Sequence, residues 1–156
     1  MEALVEALMQ WIGDHSDLKV ANLTPPEIVM MSPEELTREF YSDAPDLLPE
    51  DGVDDRVNAL YAASDGQVGT IYLLAPEAVP DAKYYDDPME NPFFREVLLH
   101  ELVHHVQWQT KLNESWACPR EGEKQAYILG GRYLHAVGAT DPLPNRMFWA
   151  HMYSLC

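Results

Sequence analysis

Basic side chains are scarce in this sequence. Lys and Arg number 10 against 26 Asp and Glu over 156 residues, a formal net charge of −16. No Lys/Arg cluster exists to neutralise a phosphate backbone, so nucleic acid is not an expected partner. No run approaches the ~18 apolar residues of a membrane span, so no membrane association is expected either. The start, Met1-Glu2-Ala3-Leu4-Val5-Glu6, lacks the basic opening of a signal peptide. The expected location is therefore cytoplasmic, a trimmed secreted chain being the alternative. Cysteine is limited to Cys118 and Cys156. Neither belongs to a CxxC pair, which argues against a thiolate zinc site. Free thiols are the default without a secretion signal, with one disulfide left open. Internal repeats and low-complexity segments are missing too.

What remains is an ordinary globular composition, 47% hydrophobic and 10% aromatic. A chain of this length buries roughly 70% of its unfolded surface, enough for one core. A single domain over 1–156 is expected. Residues 1–99 carry 21 acidic and 5 basic side chains, and residues 100–156 carry 5 and 5. The whole negative excess thus lies in the first part, densest from Glu34 to Asp55. It serves either as a solvated face or as a surface for a basic protein partner.

Periodicity divides the chain further. Leu4, Val5, Leu8, Trp11 and Ile12 form an amphipathic helix over residues 2–12 that Gly13 should end. Glu27 to Met31 reads as a short strand. Ser32, Pro33 and Glu35 form a capping box opening a helix that runs to about Tyr41. Val57–Ala63 and Gln67–Leu74 flank the turn residues Ser64, Asp65 and Gly66 as a β-hairpin. Ala75 to Pro92 reads as a long irregular loop. Helices follow over about 91–112 and 121–137, and 138–156 is left as a C-terminal segment. The class is α+β, with 1–92 an acidic, hairpin-bearing part and 93–137 a pair of helices.

The first of those helices carries His100-Glu101-Leu102-Val103-His104. Two histidines at i and i+4 share one helical face, so both imidazoles can reach one zinc ion. Glu101, beside them, is placed to take a proton from water that the zinc activates. The pattern arises by chance in about 2% of chains of this composition. Its apolar flanks, Phe93 to Leu99 and Val106 to Trp108, bury the histidines, and buried polar rings need a common partner. A third ligand is required, with Glu114, Glu121, Glu123, His135 and His151 as candidates. Glu123 stands foremost: Ala126 and Gly130 lie on its own face and let the two helices approach. Glu121 points about 200° away on that helix.

His100-Glu101-x-x-His104, eighteen residues, then Glu123 resembles the glutamate-type zincin metallopeptidases. With His105-Val106-Gln107 and Lys124-Gln125-Ala126-Tyr127, the stretch is also similar to small, uncharacterised bacterial zincin-like families. The similarity covers about residues 93–137. It implies a small antiparallel sheet packed on the HExxH helix, with the Glu123 helix completing a zinc site of His100, His104 and Glu123. It also implies hydrolysis of a peptide or protein substrate with Glu101 as general base. Val68 to Leu74 would be the edge strand, taking an extended peptide along Thr70-Ile71-Tyr72-Leu73. Gln107 and Thr110 stand where a metzincin needs glycine and histidine, which excludes that branch. Tyr127 replaces the acidic residue of thermolysin-like enzymes, so the partner orienting His100 is unassigned. Tyr127 and His151, with Tyr133 and Arg132 behind them, are candidates to stabilise an oxyanion. His105, rotated about 100° from His104, is expected to bond elsewhere. Trp108, Trp116, Phe148 and Trp149 are expected to pack rather than to form a substrate platform. Iron, manganese or cobalt would also suit the ligand set. The alternative function is a non-catalytic zincin-fold protein whose acidic surface docks a basic partner.

Overall fold

The computed structural model describes residues 1–156. Val5, Leu8, Met9 and Ile12 form the buried face of α1 (Glu2–His15). The helix runs through Gly13, where the sequence suggested a stop. A Cβ there would meet the Val20 side chain at 2.5 Å, so Gly13 serves a close approach of the returning chain. The helix ends instead where Ser16 Oγ donates to Ile12 O at 2.6 Å.

α2 (Pro33–Phe40) opens with the expected capping box. Glu35 N donates to Ser32 Oγ at 3.3 Å and Ser32 N donates to Glu35 Oε2 at 2.9 Å. Three strands form the sheet: β1 (Glu27–Met31), β2 (Ala59–Ala62) and β3 (Thr70–Leu74), in the order β1-β3-β2. β2 and β3 are the expected antiparallel pair, with Ala59 opposite Leu73 and Ala62 opposite Thr70. β1 lies parallel to β3, with Glu27 opposite Thr70, so the sheet is mixed rather than purely antiparallel. The cause is the connection. The chain passes through α2 and β2 before β3, a crossover of the kind a parallel pair requires.

This topology corrects the expected peptide-binding edge as well. β3 is the central strand, with Ile71 and Leu73 fully buried, and β2 is the edge strand beside the HExxH helix. The hairpin connection is longer than a tight turn and ends at Gly69, whose φ is +96°. The Tyr61 ring fills the space a Cβ would need there, and its hydroxyl donates to Val68 O at 3.1 Å.

The stretch after β3 holds three short 3-10 turns, Pro76–Ala78, Ala82–Tyr84 and Pro88–Glu90. Asn91 fastens it: Nδ2 donates to Pro80 O at 2.8 Å, while Oδ1 caps α3 by accepting from Phe93 N at 2.9 Å. α3 (Pro92–Gln109) buries Phe94, Leu98, Leu99, Leu102, Val103 and Val106 completely. It packs on α1, on β2 and most extensively on α4 (Glu123–Ala136). α5 (Arg146–Tyr153) then packs on α4, in a stretch where the sequence suggested no element. Cys118 and Cys156 are joined by a disulfide with Cα atoms 5.9 Å apart, correcting the expectation of free thiols. The class is α+β, and no helix is long and apolar enough to cross a membrane.

Candidate metal centre

His100 and His104 stand one turn apart on α3, and Glu123 is the first residue of α4. The approach of the two helices depends on small side chains. Ala126 is fully buried, and a Cβ at Gly130 would strike Glu96 Oε1. This closeness brings His100 Nε2 to 3.2 Å from Glu123 Oε2, His104 Nε2 to 3.4 Å from Glu123 Oε1, and the two Nε2 atoms to 3.2 Å from each other. Ligands about 2.0–2.1 Å from a tetrahedral zinc lie ~3.3 Å apart, so the three donor atoms have the spacing the ion needs. Two imidazoles and a carboxylate are also the donor types of catalytic zinc sites.

The other candidate ligands lie elsewhere. Glu121 accepts from Ala117 N at 2.9 Å, Glu114 pairs with Lys111 at 3.7 Å, and His135 and His151 are exposed. His105 is fully buried, with Nε2 2.9 Å from Thr24 O and its ring edge-on to Tyr61.

The cluster opens into a cleft of two lobes that share Phe40, Ala59, His100, Glu101 and Glu123. One lobe, about 440 Å³, is walled by Phe93, Glu96, Tyr127, Leu143 and Arg146. The other, about 620 Å³, is walled by Leu60, Tyr61, Trp108 and Pro119. Trp108, 39% exposed, therefore faces the cleft instead of only packing. Edge strand β2 runs from the first lobe toward the second, since Asn58 lines one and Ser64 the other.

Of the oxyanion candidates, only Tyr127 is at the site, its ring edge-on to His100 with centroids 4.8 Å apart. Tyr133 packs on Trp11 in the core, Arg132 donates to His15 O at 3.2 Å, and His151 points to solvent from α5. None of these three lines the cleft.

A family model described as a domain of unknown function, DUF6647, matches residues 1–154. The chain belongs to this family. No curated protein and no solved structure matches it. In this DUF6647 domain the match spans every element that builds the centre, from α1 to α5.

Four side chains around the centre of this DUF6647 domain are given no role by sequence reasoning. Glu96 and Arg146 form a buried ion pair at 2.8 Å, and Asp141 holds the same guanidinium through two further hydrogen bonds of 2.7 and 2.9 Å. Glu96 had a signal, being one turn before His100 on the ligand face. Arg146, 50 residues from Glu96, had none. Gln107, three residues after His104, accepts from His104 Nδ1 at 3.0 Å.

The charges at the centre act on one another. Burial lifts the Glu101 carboxyl above its ordinary range, against the pull of the two histidines. Burial alone would lower His104, but the Glu123 hydrogen bond and the Glu101 and Glu123 charges outweigh it and lift the ring to about 9. Burial opposes ionisation of Glu123, yet hydrogen bonds from His100 and His104 hold it well below the usual carboxylate range. Burial first, then the Glu123 charge, keeps the Tyr127 hydroxyl protonated far into alkali.

Proposed function

We propose that this chain is a zinc-dependent metallopeptidase that hydrolyses peptide bonds, on a zincin-like arrangement of α3, α4 and the β2 edge. One observation carries it: two imidazole nitrogens and a carboxylate oxygen, 3.2–3.4 Å apart, facing a cleft that Glu101 also lines. A zinc ion held by His100, His104 and Glu123 would supply Lewis acidity to a water and to the scissile carbonyl.

The remaining steps belong to the chain's own side chains. Glu101 is buried and has no hydrogen bond to another side chain, which leaves its carboxylate to take the proton of the attacking water. Burial raises its affinity for protons, and it returns the proton to the leaving amine. Tyr127 keeps its proton and lines the lobe beside His100, so it can donate to the oxyanion. An extended peptide would pair with the free edge of β2, its side chains falling alternately into the cleft and away from it. In the more stable antiparallel pairing, the residues before the scissile bond occupy the Trp108 lobe and those after it the Glu96–Arg146 lobe.

The test joins metal analysis to turnover. Wild type should hold about one zinc per chain, Glu123→Ala should lose it, and Glu101→Gln should keep it while losing cleavage of a peptide library by at least ~10³-fold. Wild-type turnover in Glu101→Gln would overturn the mechanism. Salt-sensitive partner binding without cleavage of any peptide would favour a non-catalytic protein with an acidic docking surface.

A further inference from the structure

Gln107 is a polar side chain with no solvent exposure at all. It sits three residues beyond His104 on α3, on the same helical face. A primary amide can be placed two ways round, and here a backbone carbonyl decides between them. The amide nitrogen lies 3.1 Å from Gly122 O. A carbonyl can only accept, so the NH2 group of Gln107 faces it. The same NH2 group donates to Gln125 Oε1 at 3.1 Å.

With both amide hydrogens committed to the start of α4, the amide oxygen is left for His104 Nδ1 at 3.0 Å. An amide oxygen carries no proton, so the ring nitrogen donates. Once the ring is neutral, as a bound metal requires, His104 is then the Nδ1–H tautomer with its lone pair on Nε2. Nε2 is the atom that lies 3.2 Å from His100 Nε2 and 3.4 Å from Glu123 Oε1.

We infer that Gln107 is the positioning residue of the metal centre, and that it sets two ligands with one side chain. Its oxygen selects the metal-binding nitrogen of His104; its NH2 group ties that histidine to the peptide immediately before Glu123. The inference rests on the metal reading above and adds to it the element that orients the ligands. The packing around Gly122 agrees. A Cβ at that position would come within 2.7 Å of Gln107 Oε1 and 2.7 Å of the Trp116 ring, so the amide and the glycine carbonyl are held face to face. An amide fits where a carboxylate would not. An ionised Glu could accept from His104, but it would have nothing to donate to Gly122 O.

The tautomer can be read directly. In wild-type protein carrying 15N-histidine and loaded with zinc, long-range 1H–15N correlation should show His104 with a protonated Nδ1 and a metal-bound Nε2. Coordination through Nδ1 would overturn the inference. Should the wild type bind no zinc, the metal reading fails, and the neutral His104 ring in alkali still reports whether Nδ1 holds the proton.

Variants add a second readout. Gln107→Leu should weaken zinc binding 10–100-fold in chelator competition, the range seen when a ligand's orienting partner is removed. Gln125→Ala removes the other amide contact without touching His104 and should bind zinc within about twofold of wild type. Equal losses in both variants would reduce Gln107 to packing, and wild-type affinity in Gln107→Leu would remove its role.

Discussion

Protons and metal compete for the same atoms at His104. In the metal-free protein the ring is lifted from 6.5 to about 9 by Glu123 and Glu101 against the opposing effect of burial, and Glu123 is depressed from 4.5 by the two histidines. The folded state therefore binds the His104 proton more tightly than the unfolded chain. That stability is fully present below pH 6.5 and is lost as pH rises through about 9. The Glu123 contribution has the opposite sense, present above its ordinary 4.5 and lost as pH falls. The melting temperature of the metal-free protein should thus fall between pH 6.5 and 9. Zinc needs an unprotonated nitrogen, so binding at pH 7.5 should release about one proton per ion, and none above about pH 10. Calorimetric titration in two buffers of different ionisation enthalpy measures the number. A proton count of zero at pH 7.5 would show that His104 is already neutral.

The last helix is held in place by three separate devices. Tyr153 stacks on Tyr127 with ring centroids 5.4 Å apart, Arg146 enters the Glu96–Asp141 pair, and the disulfide ties Cys156 to Cys118 just before α4. The covalent link closes a 38-residue separation, which on chain-entropy grounds stabilises by about 4 kcal/mol. Reduction, or Cys156→Ser, should lower the urea midpoint accordingly while zinc stays bound, because the ligands belong to α3 and α4. An unchanged midpoint would mean that packing alone holds α5. This is also the element the sequence least announced. Local signals were readable where one element supplies all the information: the Ser32–Glu35 box, the alternating strands, and His100, Glu101 and His104 within a single turn pattern. Glu123 was readable because the small residues Ala126 and Gly130 share its face. The parallel partner β1, the buried Arg146 and the cysteine pairing depend on contacts between distant segments, which no local period encodes. Gly13 misled for a related reason, since its role is to admit Val20 rather than to end a helix.

Charge is a property of the entire molecule, and here it bears on what reaches the cleft. Of the few cations, Arg56 is bound to Asp54 at 2.7 Å and Arg146 to both Glu96 and Asp141. They are the only basic Lys or Arg side chains lining the two lobes, and both are neutralised by carboxylates. Apart from the histidines of the centre, nothing in the cleft therefore offsets the −16 of the chain except a bound ion. A field of this sign draws in cationic ligands and repels acidic ones, over a range that shrinks to ~10 Å at 0.1 M salt and ~3 Å at 1 M. Peptides bearing Lys or Arg should accordingly show kcat/KM values that fall several-fold between low and high salt. Neutral peptides of the same length should change little, and acidic ones should improve. A basic protein docked without cleavage would show the same slope in its association rate, with no product formed. Identical salt dependence for cationic and neutral peptides would mean that the acidic half does not act on the cleft and that its charge is confined to the solvated face.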